Sequence, residues 1–134
     1  MSSTPVGLPV GVRELVVLPP DRRAVREARR LTERLCAAAG VVDDVSDLAV
    51  LLMSEVVTNA VVHARSEARV AVTIGRERVL VEVGDDDSRP PVLRPDDDDA
   101  LSGRGISMLQ AAATDWGVRP ERVGKVVWFS LATG

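Results

Sequence analysis

Residues 45–64 are apolar on almost every side, and in their middle stands Glu55-Val-Val-Thr58-Asn59-Ala60-Val-Val-His63-Ala64. At about 100° per residue, Glu55, Asn59 and His63 fall at i, i+4 and i+8 on one line of a helix. Leu48, Leu51, Leu52, Val56 and Val62 flank that line, so Glu55 and Asn59 point where the core-facing stripe should lie. A carboxylate placed there is costly unless a polar or cationic group meets it. Two readings fit this spacing. One is a salt-bridged buried pair. The other is a Glu base and an Asn metal ligand, one helical turn apart and facing a nucleotide.

A chain of 134 residues makes one domain with a real core. Its only aromatics are Trp116, Trp128 and Phe129, so that core must be built from Val, Leu and Ala. The formal charge of −3 comes with no continuous basic stripe, which argues against nucleic acid or an anionic membrane as partner. The single cysteine, Cys36, excludes an internal disulfide and fits a reducing compartment; among alanines on a helix it reads as buried filler. No signal-peptide pattern opens the sequence and no apolar run approaches membrane-spanning length. The expectation is a soluble, cytoplasmic protein.

Residues 1–9 carry Ser, Thr, Pro and Gly and read as a loose leader, with a single domain over residues 10–134. Residues 12–18 form a first strand, stopped by Pro19 and Pro20. Asp21 caps a helix that ends at Gly40, with Val25, Ala28, Leu31, Leu35 and Ala39 as its apolar face. Its other face carries Arg22, Arg23, Arg26, Arg29, Arg30 and Arg34, a solvated surface that also offers a dock for an acidic partner. Asp43 or Asp44 caps the central helix. Residues 69–74 and 79–83 are two strands joined as a hairpin through residues 75–78. Val79, Val81 and Val83 share one face of the second strand; Asp85 continues that face if the strand persists, and Asp86 does not.

From 86 to 102 the chain turns proline-rich and acidic, a connection that reads as a solvated, mobile lid. It lacks the glycine and terminal glutamate of a calcium-binding loop. Gly103-Arg104-Gly105 then opens a helix with Ile106, Leu109 and Ala113 on one face, and its N-terminus is a suitable seat for phosphate. Residues 116–119 and 125–131 are closing strands, with Gly124 at the turn between them. Strands follow one another too closely for a doubly wound sheet. The predicted fold is an α+β two-layer sandwich, a mixed β-sheet with helices on one face.

These motifs together resemble the GHKL superfamily of histidine-kinase-like ATPases, and more closely its anti-sigma factor serine kinases and their actinobacterial ATP-binding relatives. Glu55-x-x-x-Asn59-Ala60 with His63-Ala64 is similar to the family's N box. Asp85 after a valine-rich strand resembles the G1-box aspartate, Gly103-Arg104-Gly105-Ile106 the G2 box, and Gly124-Lys125-Val126-Val127-Trp128 the closing glycine and strand. The match runs from about Leu15 to Leu131. The resemblance implies a Bergerat-type fold with ATP and Mg²⁺ as cofactors. It implies Asn59 as the Mg²⁺ ligand and Glu55 as the general base that takes the proton from an attacking hydroxyl. It makes Asp85 the acceptor for the adenine amino group, and Gly103, Arg104 and Gly105 the phosphate-binding turn. His63, on the same helix line, joins the nucleotide-binding set rather than acting as phosphoacceptor, which would belong on a separate dimerisation helix. Two positions depart from the pattern. Asp87 stands where glycine is usual, and Val126 where threonine is common.

The function this implies is an ATP-dependent protein serine/threonine kinase of anti-sigma-factor type. It would phosphorylate a serine on an antagonist protein and control a sigma factor by partner switching. The alternative is a module that holds nucleotide and sequesters a protein partner without transferring phosphate. Retention of Glu55 favours the enzyme, because a pure binding module needs no base. The family often dimerises, and no surface in the sequence announces a homodimer.

Overall fold

Val12–Leu18 forms strand β1, and Pro19-Pro20 ends it because neither proline donates to a ladder. The computed structural model describes residues 11–88 and 107–133. Helix α1 spans Arg23–Ala39. Arg22, not the expected Asp21, holds the N-cap position and makes no side-chain cap; Asp21 lies just before it, where its Oδ1 accepts the Arg23 backbone N–H at 2.8 Å and the Arg23 guanidinium closes on the same carboxylate. That side-chain bond holds the Asp21 carboxyl below its ordinary range. At the far end Gly40 adopts φ 72°, and the N–H groups of Gly40 and Val41 reach back to the carbonyls of Ala37 and Cys36. The buried face is Ala24, Ala28, Leu31, Thr32, Leu35 and Cys36, turned slightly from the expected one, with Ala39 exposed. Cys36 is enclosed, and burial pushes its thiol pKa up, which keeps it inert.

Helix α2 spans Asp43–Thr58. Neither Asp43 nor Asp44 caps it through its side chain; both lie in the first turn, where they meet the positive end of the helix dipole. The helix does not stop at Thr58. It widens into a π-type turn, Asn59–His63, in which the Ala64 N–H bonds the Asn59 carbonyl. Asp43–His63 is thereby one stretch whose length and composition would suffice to cross a membrane, contrary to the expectation from the sequence. In this fold it is a core helix. Leu52, Met53 and Val57 are fully buried, while Leu51 and Val62 face outward.

Strands β2 (Ala68–Ile74), β3 (Arg78–Asp85), β4 (Asp115–Pro120) and β5 (Lys125–Ala132) complete a five-stranded sheet in the order β1-β2-β3-β5-β4. The two-layer α+β architecture is as predicted, but every pairing is antiparallel rather than mixed. The reason lies in the connections. The two helices between β1 and β2 return the chain to the end it left, so the next strand runs backwards; β2–β3 and β4–β5 are hairpins.

Val70, Val72 and Ile74 of β2, Val79, Val81 and Val83 of β3, and Val127, Phe129 and Leu131 of β5 form one core with the helices. Helix α1 lies over β1 and β2, and α2 over β3 and β5. Residues 107–112 are helical, and Leu109 enters the same core. On the opposite face Glu82 is buried between Arg13 and Arg119, each 3.3 Å away. Trp128 lies there over Gly117, where any Cβ would meet the indole at 2.9 Å.

Candidate nucleotide site

The π-type turn ends α2 against β3, and this places the two halves of the candidate site side by side. Glu55 is buried on the last α-helical turn. One turn on, the Asn59 side-chain oxygen is enclosed and accepts no hydrogen bond from any described residue. Leaving such an acceptor unmet costs about 1–3 kcal/mol. A buried amide oxygen with no donor facing it fits the chemistry of a hard-cation ligand. His63 closes the turn, partly buried. The wider turn rotates it off the straight line that α-helical spacing predicts for Glu55, Asn59 and His63.

A short chain of hydrogen bonds joins this turn to the end of β3. The Ala60 carbonyl accepts the Ser66 N–H at 3.0 Å, and Ser66 Oγ accepts the Asp86 N–H at 2.9 Å. Strand β3 does persist to Asp85, so Asp85 continues the inward face of Val79, Val81 and Val83 and is buried. Asp86 points outward and bonds Arg69 at 3.0 Å, while the other arm of Arg69 holds the Asp85 carbonyl at 3.1 Å. The alternation expected of the strand thus separates the two aspartates as anticipated.

Asp85 is not bare. Lys125, its direct partner across the ladder, places Nζ 3.1 Å from both carboxylate oxygens, in a pair whose side chains are 9% and 6% exposed. The same Nζ donates to the Asp87 carbonyl at 2.9 Å, and the Asp87 N–H donates to Asp85 Oδ1 at 2.8 Å. Gly124 makes this closure feasible. Its φ is +82°, and a Cβ there would sit 1.8 Å from the Asp85 carbonyl oxygen. Its N–H reaches Ser88 Oγ at 3.3 Å. Lys125, Ser66 and Arg69 were not singled out by the sequence. The only available signal for Lys125 was a cation in an apolar strand, and its partner stands 40 residues away.

Gly103, Arg104 and Gly105, and the part beyond Ser88 of the segment expected to be a lid, lie outside the described residues. Among the described residues no three His, Cys, Asp or Glu side chains gather into a cage. A magnesium ion suits this setting, since it takes one or two protein oxygens and otherwise water and phosphate.

A two-layer α+β domain with an Asn-bearing helix end beside a buried strand-end aspartate defines a class, that of the histidine-kinase-like nucleotide-binding domains. The family model for the histidine kinase-like ATPase domain matches residues 18–131, and the chain belongs to that family. The RsbU and RsbW domains of Rv1364c from Mycobacterium tuberculosis superpose with a TM-score of 0.69 at 18% identity, over 90% of this chain. At that identity the likeness establishes the fold. The chain spans about a third of the length of that protein, covering 31% of it. No curated protein sequence matches the chain.

Proposed function

We propose that this chain binds ATP with Mg²⁺ and works in the cytoplasm as a regulator of anti-sigma-factor type, transferring phosphate to a serine of an antagonist protein. The observation that carries the reading is the pairing of buried Glu55 with the unmet Asn59 oxygen one turn later, beside the end of β3. Asn59 would hold a Mg²⁺, which would offset the negative charge of the phosphates. Glu55 would accept the proton of the incoming hydroxyl, and Asp85 would accept a hydrogen bond from the adenine amino group. Gly103, Arg104 and Gly105 would turn backbone N–H groups to the phosphates, His63 would join the nucleotide-binding set, and residues 86–102 would serve as lid. Bound ATP supplies the phosphoryl group; orientation and proton removal fall to this chain. Protein partners belong to the same proposal, a sigma factor and a second copy of this chain among them; the structural neighbour that shares this fold includes an RsbW domain.

A second reading is a module that holds nucleotide without transferring phosphate. It is favoured by Asp87, whose backbone is tied on both sides to the Asp85–Lys125 pair where the family pattern has a freer glycine. Incubation with labelled ATP, Mg²⁺ and candidate antagonists decides between them. Label on an antagonist serine supports the kinase; tight ATP binding with no transfer to any candidate supports the module.

A further inference from the structure

Lys125 has no role in the phosphate transfer proposed above, yet it is the one buried cation among the described residues. An ammonium carries three N–H donors, and three acceptors meet it: Asp85 Oδ1, Asp85 Oδ2 and the Asp87 carbonyl. No donor is left for a ligand. Asp85 Oδ1 has a second donor in the Asp87 N–H, whereas Oδ2 has Lys125 alone among the described residues. A carboxylate oxygen accepts two hydrogen bonds, so Oδ2 keeps one direction open.

We propose that Lys125 is a positioning residue for base selection: it pins Asp85 through both oxygens and leaves Oδ2 as a fixed acceptor that selects a base carrying an exocyclic amino group. The proposal rests on the reading of Asp85 as the group that meets the base, and it deepens that reading. Without Lys125 the carboxylate is free to rotate, and Asp87 loses the bond that ties its carbonyl back. With it, a 6-amino purine places an N–H where an acceptor waits. A 6-oxo purine places a carbonyl oxygen against a carboxylate oxygen, and is rejected. Lys125 acts through Asp85 and touches no part of the base.

Calorimetric titration with ATP and with inosine triphosphate, both with Mg²⁺, tests this on the wild type, Lys125→Met, Asp85→Asn and the double variant. The wild type is expected to prefer ATP by about 10- to 100-fold, the span of one hydrogen bond to a charged group. Lys125→Met should lose most of that ratio, and in the Asp85→Asn background it should change the ratio no further. Removing one partner of a buried pair is strongly destabilising. Should Lys125→Met not fold, Lys125→Arg serves in its place. Its altered geometry should reduce the ratio when Asp85 is present and change nothing further in the Asp85→Asn background. A folded Lys125 variant with the wild-type ratio overturns the proposal, as does a further loss in the Asp85→Asn background, which would mean direct contact. A wild type that binds both nucleotides equally also overturns it, while the nucleotide site stands. A wild type that binds neither removes the site itself.

Discussion

Asp85 and Asp86 are neighbours in sequence with opposite surroundings. One is buried against Lys125 and the other exposed beside Arg69. Strand alternation alone separated them, because a period of two leaves no choice once Val79, Val81 and Val83 are assigned inward. Glu55 and Asn59 were equally readable, being polar groups set into an apolar helix. They also divide the proposed labour. Glu55→Gln keeps the side-chain shape and should bind Mg²⁺–ATP as the wild type does, while phosphate transfer falls by about 10²–10⁴-fold, the usual contribution of a general base. Asn59→Ala should instead weaken Mg²⁺-dependent nucleotide affinity, and transfer with it. Parallel calorimetry and labelled-phosphate assays separate the two, and undiminished transfer by Glu55→Gln would remove it as the base.

The helices and strands were readable because their periodicities are local, and most of their boundaries lie within a residue or two of expectation. What was missed depends on register or on backbone hydrogen bonding. Lys125 meets Asp85 only because β3 and β5 pair in one particular register, across 40 residues of chain. The widened turn at Asn59–His63 carries no proline or glycine to mark it, so the sequence reads as unbroken α-helix. Glycines at element ends separate local from tertiary demands. Gly40 ends α1 with φ +72° and nothing within 4 Å of its absent Cβ, so Gly40→Ala meets only the left-handed backbone penalty, about 1–2 kcal/mol. Gly124 adds a direct collision with the Asp85 carbonyl. Gly124→Ala should therefore destabilise by clearly more than Gly40→Ala in urea unfolding, and should also weaken nucleotide binding, which Gly40→Ala should leave unchanged. Equal losses would show that the junction of β3 and β5 tolerates rearrangement.

Taken whole, the molecule is a sheet with one face closed by α1 and α2, and its candidate site lies where the central helix ends beside the central strand. The mixed sheet expected from the sequence is antiparallel throughout: the two helices between β1 and β2 return the chain reversed, and the pairing of β3 with β5 is a tertiary choice that element order does not encode. The same packing ties the turn after Asn59 to Asp86 through Ser66, so nucleotide bound across the two would hold the helix end and the strand end together. A ligand that binds only the folded state stabilises it by mass action, by about 2.7 kcal/mol at a hundredfold excess over its dissociation constant. For a domain of this size that corresponds to a rise of roughly 10 °C in melting temperature. The decisive measurement is the thermal melt with and without saturating ATP and Mg²⁺, repeated with Asn59→Ala. A rise of that order in the wild type, reduced in Asn59→Ala, is the predicted result. A wild-type melt that ATP and Mg²⁺ leave unmoved would contradict the assignment of this helix and strand end as a nucleotide site.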